Sequence, residues 1–182
     1  RNGELRMRND PDGAMVIVLM GVSGSGKTTV GTRLAHALDW EFADADDFHP
    51  DANVEKMSRG EPLTDADRWP WLRSIRSFID DRRQTGASAV VTCSALKEAY
   101  REVLLDDTED VHLVYLRGEY ALVRDRLESR ADHFFDADLL DSQFDALEEP
   151  SVDAAITVDI AASPDEIVRT IRRRVPGLSV SE

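Results

Sequence analysis

The sequence predicts an α/β fold in which a parallel sheet is connected by crossover helices. From residue 15 onward, short apolar runs rich in β-branched residues alternate with longer stretches of helical periodicity, as in chains built from β-α-β units. The first apolar run leads directly into GVSGSGKT, residues 21–28, which matches the phosphate-binding pattern G-x-x-x-x-G-K-[ST]. The length of 182 residues favours one domain, which we place at residues 15–176.

The flanking segments are predicted to lie outside this domain. Residues 1–14 are polar, lack periodicity and contain two glycines and a proline, so we interpret them as a disordered leader or a tag remnant. Residues 177–182 are expected to fray.

The glycine-rich loop predicts a nucleotide site. Its glycines allow the backbone N–H groups to converge on phosphate oxygens at the N-terminus of the next helix, although a glycine-rich turn without a ligand is the alternative. Lys27 is expected to reach the β- and γ-phosphates of ATP, and the Thr28 hydroxyl to hold Mg²⁺. The predicted nucleotide-binding residues are Gly21, Ser23, Gly24, Ser25, Gly26, Lys27, Thr28 and Thr29.

The composition limits the class of partner. The net charge of −14 opposes binding to nucleic acid. Only three of the 22 basic residues are lysines, namely Lys27, Lys56 and Lys97, which makes each of them a site candidate. The longest apolar run is too short to span a membrane, and the single cysteine, Cys93, fits a reducing compartment. We therefore expect a soluble, cytoplasmic protein.

The segment after the glycine-rich loop contains a pair of carboxylates, Asp44 and Asp46. A helix is predicted over residues 27–38, followed by a short strand over 40–44. In an extended segment, Asp44 and Asp46 point to the same side, so both carboxylates can face one site. The alternative is an acidic turn that caps a helix.

A long helix is predicted from the N-cap Thr64 to about residue 84, ended by Gly86. Pro70 is compatible with it only within about the first turn, or if the helix instead begins at Trp69. The tryptophans are expected in the core or at an interface. Arg68 is either a site residue or an exposed partner of Asp65.

Residues 88–93 and 111–116 are predicted to be buried strands. If the first of them neighbours the strand before the loop, residues 93–97 belong to the site. Lys97 and Arg101 are one helical turn apart and are expected to face the same anion. Cys93 is interpreted as a small buried apolar residue.

A helix over residues 119–131 places Arg126 and Arg130 together. These arginines either stabilise the transferring phosphoryl group from a lid over about residues 130–138 or pair with Asp125 and Glu128 on a solvated face. A short helix over 139–147, a strand over 155–160 and a helix from the capping box at Ser163 to about residue 175 complete the chain.

Residues 15–173 resemble the small P-loop gluconokinases. The resemblance is carried by residues 20–28, His49, Pro50, Asn53, residues 55–57, 62–63, Asp65, Asp67, Arg68, residues 70–72, 93–97, Tyr100, Arg101, Tyr115, Leu116, His133, Phe134, residues 142–144, Leu147 and Glu148. It implies a three-layer sandwich like that of shikimate kinase, with helices on both faces of a five-stranded parallel sheet of order 2-3-1-4-5 and a lid. It also implies a homodimer.

The resemblance further implies ATP-dependent phosphorylation of D-gluconate at its 6-hydroxyl. Thr28 and Asp44 are then the metal-site residues. Asp46 orients the hydroxyl or accepts its proton, while Lys27, Arg126 and Arg130 offset phosphoryl charge. The predicted substrate-binding residues are Asp46, His49, Lys56, Arg68, Lys97, Arg101 and His133. The alternatives are a kinase for another small hydroxy acid, such as shikimate, and a non-catalytic nucleotide-dependent switch.

The chain departs from the family pattern in two places. Ala45 replaces a glycine between the paired aspartates, and Ala131-Asp132 replaces Lys-Gly in the lid. Losing a lid cation and gaining an acid next to the phosphates is expected to weaken nucleotide affinity or slow closure of the lid, and loss of the glycine to stiffen the hinge.

Overall fold

The computed structural model describes residues 13–130 and 136–178. Its strands are β1 (Val16–Met20), β2 (Glu41–Asp44), β3 (Ala89–Thr92), β4 (Val111–Arg117) and β5 (Ile156–Asp159). Its helices are α1 (Lys27–Leu38), α2 (Asp51–Ser58), α3 (Asp65–Thr85), α4 (Glu98–Leu105), α5 (Tyr120–Glu128), α6 (Ala137–Ala146) and α7 (Pro164–Arg174). Residues 1–12 of the predicted leader and 179–182 of the predicted tail lie outside these residues. Leu178, which was expected to fray, packs against the core.

The five strands form one parallel sheet in the order β2-β3-β1-β4-β5, which confirms the predicted topology. Every residue of the central strand β1 is buried, because a strand with helices on both faces must be apolar on both. Leu19 pairs with Thr92 of β3, and Met20 with Tyr115 of β4. The carboxyl ends of the three central strands therefore meet at one edge.

Each face of the sheet has its own apolar core. Val16, Val18 and Met20 of β1 face the side covered by α3 and α4. Ile17 and Leu19 face the opposite side, where α1, α5, α6 and α7 contribute buried residues. Since successive side chains of a strand alternate between faces, the uninterrupted apolar run of β1 serves both cores. This arrangement confirms the three-layer sandwich.

Helix α3 has the predicted caps but carries its proline deeper than expected. Thr64 and Asp67 form a capping box, and Gly86 ends the helix in a left-handed conformation with φ 73°. Pro70 is the sixth residue of the helix, so its expected restriction to the first turn is wrong. Both Pro70 and Ala66 are exposed, so water can satisfy the carbonyl that the proline leaves without its helical donor.

Two further elements differ from the sequence prediction. Helix α2 was not predicted as a separate element, and α5 ends at Glu128, three residues earlier than expected. Ser129 caps α5 and donates its backbone N–H to the Asp125 carbonyl. The predicted lid lies largely outside the described residues.

Candidate active site

The glycine-rich loop joins the end of β1 to the start of α1, at the edge where the central strands end. Gly26 is the N-cap of α1, with φ 89°, a left-handed conformation that favours glycine. A Cβ atom on Gly21 would lie 2.6 Å from the Ser25 Oγ and 3.0 Å from the Leu116 carbonyl oxygen. These positions explain why the loop needs glycine at both points.

Lys27 folds back over this loop. Its Nζ donates to the carbonyl oxygens of Gly21 at 2.8 Å and Val22 at 3.0 Å. Burial lowers the pKa of Lys27, while the negative charges of Asp46 and Asp44 oppose that shift. The ammonium group therefore lies within the loop, where the charges of the paired carboxylates act on it.

The paired carboxylates do not share an extended segment, so the expected strand geometry is wrong. Strand β2 ends at Asp44, and residues Ala45–Phe48 form a 3₁₀ turn. The Asp44 Oδ1 caps this turn by accepting the backbone N–H of Asp46 at 2.9 Å. A short aspartate side chain at the end of a strand stabilises such a turn better than continued extension does, so the capping alternative describes Asp44.

The 3₁₀ turn still keeps Asp46 beside Asp44. Partial removal from water raises the pKa of Asp46, and the Asp44 carboxylate raises it further, whereas His49 and Lys27 lower it. The Trp71 Nε1 of α3 donates to the Ala45 carbonyl oxygen at 2.7 Å, which fixes the turn to the core. Trp71 is 5% exposed, in agreement with the structural role predicted for the tryptophans.

His49 and Lys56 lie next to this turn. The His49 ring stacks on Trp71 with 4.3 Å between ring centroids. Asn53 Nδ2 lies 3.3 Å from the His49 Nδ1. Lys56 Nζ forms an ion pair with the Asp67 Oδ2 at 2.8 Å.

Arg68 and Lys97 both lie over the aromatic ring of Tyr100. The Arg68 Cζ lies 5.7 Å and the Lys97 Nζ 5.6 Å from the centroid of Tyr100, within the range of cation–π attraction. The Tyr100 hydroxyl donates to the Asp65 Oδ1. The same oxygen lies 3.6 Å from Lys97 and 3.9 Å from Arg68, so the partner that sequence suggested for Arg68 is present.

Arg101 does not share this surface with Lys97, contrary to the sequence prediction. Arg101 is 6% exposed. Its guanidinium donates to the carbonyl oxygens of Ala95 at 2.9 Å, Leu96 at 3.1 Å and Glu148 at 2.7 Å. Lys97 is the extended N-cap of α4, so the helical spacing assumed between the two residues does not apply. In this structure, Arg101 stabilises the loop after β3.

The two predicted lid arginines have different surroundings. Arg126 Nη2 donates to the Ile160 carbonyl oxygen at 2.6 Å. Arg130 is exposed and lies beyond the end of α5. His133, Ala131 and Asp132 lie outside the described residues.

Gln143 of α6 contacts the glycine-rich loop, and the sequence analysis did not assign it to the site. It bonds to the Ser23 backbone and hydroxyl. Its only sequence signal was its place within residues 142–144, which contribute to the family resemblance. A contact between residues 120 positions apart has no local signature.

The donor atoms near the loop fit Mg²⁺ bound together with phosphate. Within residues 13–130 and 136–178, no cluster of three or more His, Cys, Asp or Glu side chains could hold a metal ion. Magnesium in phosphoryl-transfer sites needs only one or two protein carboxylates, because phosphate oxygens and water complete its shell. Thr28 is exposed in the first turn of α1, and Asp44 ends β2, so the chain can supply a hydroxyl and a carboxylate.

The helices in the described part of the chain include none with the length and apolar character of a membrane span.

The sheet order and the glycine-rich loop define a P-loop kinase. A family model described as an AAA domain matches residues 16–150. A gluconokinase from Gluconobacter oxydans is 46% identical over 158 residues, which cover 86% of this chain and 89% of that protein. The chain belongs to the gluconokinase family.

Solved structures agree with this family. A gluconokinase structure from Sinorhizobium meliloti superimposes with a TM-score of 0.74 and 41% identity, covering 85% of this chain and 87% of the other. Shikimate kinase from Aquifex aeolicus, at 20% identity, has a TM-score of 0.58 and covers 86% of this chain and 93% of the other. The second likeness concerns the fold alone.

Proposed function

We propose that the chain transfers the γ-phosphoryl group of ATP to the 6-hydroxyl of D-gluconate, giving 6-phospho-D-gluconate. The observation that carries the proposal is that the turn with Asp46, the phosphate-binding loop and the loop with Lys97 all leave the same edge of the sheet. The Asp46 charge opposes the lowering of the Lys27 pKa, and the Lys27 charge opposes the rise in the Asp46 pKa. Family membership supplies the identity of the two substrates.

The donor half of the site is the loop with Lys27 and Thr28. Backbone N–H groups of residues 24–29 bind the phosphates of ATP, and the loop glycines permit their close approach. The predicted contact of Ser23 is not a backbone one, because its N–H donates to the Gln143 Oε1. Thr28 and Asp44 would hold Mg²⁺ in this half of the site. Bound there, Mg²⁺ neutralises charge on the phosphates.

Asp46 acts on the acceptor hydroxyl. It accepts a hydrogen bond from the 6-hydroxyl and aligns the oxygen with the γ-phosphorus. Because the transition state of phosphoryl transfer is loose, this alignment contributes more than strong base catalysis does. Lys27 offsets negative charge on the transferring group. Arg126 and Arg130 are predicted to offset the same charge, and for this the contact of Arg126 with Ile160 has to rearrange.

The acceptor half is formed by His49, Lys56, Arg68 and Lys97, with His133 as a further predicted ligand. Arg68 and Lys97 supply two positive charges within reach of one carboxylate, beside the hydroxyl of Tyr100. Such a surface binds the carboxylate of a sugar acid. Arg101 is assigned to support of the loop after β3 rather than to direct binding.

A kinase for another small hydroxy acid is the second candidate function, since shikimate kinase shares the fold. A non-catalytic nucleotide switch accounts less well for the cations on the acceptor side. We further propose a homodimer that works in the cytoplasm.

The experiment that tests the proposal measures ADP release from Mg·ATP with a panel of sugar acids and shikimate. We expect gluconate to give the highest kcat/KM. The variant Lys27→Ala serves as the blank, because it removes the phosphate-binding ammonium. Preference for shikimate would favour the second candidate, and no stimulation by any acid would favour the switch.

A further inference from the structure

A continuous segment crosses the edge where the central strands end. It consists of α6 and the three residues after it, residues 137–149, and we call it the strap. Its contacts reach the loop after β1, the loop after β3 and the end of β4. The strap therefore spans the part of the molecule that holds both halves of the proposed site.

The C-terminal end of the strap is fixed at two of these places. The Glu148 backbone N–H donates to the Leu96 carbonyl oxygen at 2.8 Å, and its carbonyl accepts from Arg101 at 2.7 Å. The Glu149 Oε1 accepts from the Tyr115 hydroxyl at 2.9 Å and from the Arg117 Nε at 3.0 Å. This end is thus attached to the sheet through both side chains and backbone.

The third attachment is made by Gln143 to the phosphate-binding loop. The Ser23 backbone N–H donates to the Gln143 Oε1 at 2.7 Å, and the Gln143 Nε2 donates to the Ser23 Oγ at 2.9 Å. One amide thereby engages both the backbone N–H and the hydroxyl of one loop residue, which fixes position and orientation together. Ser23 itself is exposed and precedes Gly24, so the local chain does little to restrain it.

We infer that Gln143 is a positioning residue for nucleotide binding, which holds the Ser23 corner of the loop in the conformation that accepts phosphate. A loop that is already ordered loses less conformational entropy when the ligand binds. The inference rests on the proposed function only in taking Mg·ATP as the ligand. Gln143 acts through Ser23 and has no assigned contact with the reacting atoms.

The test measures the Kd of a non-hydrolysable Mg·ATP analogue by titration calorimetry. Gln143→Met keeps the length and much of the volume of the side chain but removes both hydrogen bonds. We expect its Kd to rise about tenfold, since two hydrogen bonds of ordinary net strength are lost. The control Ser142→Ala changes the neighbouring exposed residue of α6 and is expected to leave the Kd within about twofold.

A double-variant comparison separates positioning from general support of the fold. Ser23→Ala removes one of the two bonds and is expected to raise the Kd about threefold. In the double variant with Gln143→Met, the Kd should be about tenfold above the wild-type value, as in Gln143→Met alone, because both changes act on one contact. Melting temperatures of all variants identify any loss of folding. If Gln143→Met does not fold, Gln143→Asn takes its place in both the single and the double variant, because the asparagine side chain is too short to reach Ser23.

Two results would overturn the inference. One is an unchanged or lower Kd in Gln143→Met, which would make the contact neutral or competitive with nucleotide. The other is a Kd about thirtyfold above wild type in the double variant. The two single effects would then multiply, which would mean that Ser23 and Gln143 act independently. Because the titration contains no acceptor, a failure to phosphorylate gluconate would reject the proposed function and leave this comparison valid.

Discussion

Asp46 illustrates how a single residue acquires its chemical environment from its neighbours. The Asp44 carboxylate caps the turn that carries Asp46, and Trp71 fixes the same turn from α3. The Lys27 charge lowers the pKa of Asp46, against the rise caused by partial removal from water. Because the backbone of the turn is held at two points, it need not reorganise when the carboxylate aligns a substrate hydroxyl.

Replacing Asp46 by Asn should lower kcat for gluconate by about 100-fold or more. The amide keeps the size of the side chain, but as a neutral acceptor it orients the hydroxyl less strongly than a carboxylate does, and it cannot take the proton. The Kd of the Mg·ATP analogue should change little. The control is Asp47→Asn, in the same turn and exposed, which should retain kcat. Steady-state kinetics of both variants provide the measurement. A kcat within about threefold of the wild type for Asp46→Asn would show that its assigned role is wrong.

Arg101 shows why residue roles cannot be transferred by spacing alone. The four-residue interval from Lys97 suggested a common helical face, but Lys97 precedes the helix as its N-cap. Whether a residue lies in the first helical turn or just before it depends on tertiary contacts, and the sequence does not specify it to that precision.

The variant Arg101→Ala should be destabilised by at least about 2 kcal/mol, since buried carbonyl groups lose their donors. The melting temperature should then fall by about 4–8 °C. Arg33→Ala is the matched control, because the Arg33 side chain is 50% exposed in its pair with Asp165 and such pairs contribute about 0–1 kcal/mol. A fully stable Arg101→Ala with a greatly raised KM for gluconate would instead restore the sequence prediction of a substrate ligand.

At the scale of elements, the ends of helices were the most predictable features. The N-cap at Thr64, the capping box at Ser163 and the C-cap at Gly86 all lie where the sequence placed them, because each depends on residues within a short stretch of the chain. The 3₁₀ turn after Asp44 was not predicted, since extended and turn conformations of so short an acidic segment compete closely. Helix α5 was predicted too long because its end lacks a glycine or proline signal.

Asp67 links a helix cap to the acceptor side of the site, and this predicts a pH effect on stability. The hydrogen bonds from Lys56 and Thr64 lower the pKa of Asp67 to about 2. A carboxyl group whose pKa is lower in the folded than in the unfolded state stabilises the fold. The effect is complete when the pH is above the unfolded-state pKa, near 4, and is lost as the pH falls toward 2. Wild type should therefore melt a few degrees above Asp67→Asn at pH 7, with the difference shrinking between about pH 4 and pH 2.

Melting curves of both proteins by circular dichroism across this pH range check the prediction. Asp165→Asn serves as the control, since Asp165 is an exposed acid in the first turn of α7 and its variant should give no comparable convergence. A difference between wild type and Asp67→Asn that stays constant down to pH 2 would contradict the assigned cause.

At the scale of the molecule, the parallel sheet and its three layers followed from alternating apolar runs and helical periodicity, whereas the strand order came from family resemblance. Periodicity reports which face a residue occupies, but it does not report which strands become neighbours. For that reason the contact between Gln143 and Ser23 could not be deduced from either segment alone.

The sheet also explains how the two halves of the site come together. The loop after β1, the turn after β2 and the loop after β3 all leave the same edge, where parallel α/β folds bind their ligands. Lys27, Asp46 and Lys97 are thus gathered by topology from three separate parts of the chain. This gathering is the basis for a two-substrate reaction.

The most direct test of that reaction is to identify its product. The protein is incubated with Mg·ATP and D-gluconate, and the product is examined by ³¹P–¹H correlation spectroscopy, with Lys27→Ala as the blank. We expect stoichiometric ADP and a phosphomonoester coupled to the C6 protons of gluconate. ADP formation without a phosphorylated sugar acid, or phosphate on another carbon, would contradict the proposed placement of the 6-hydroxyl at Asp46.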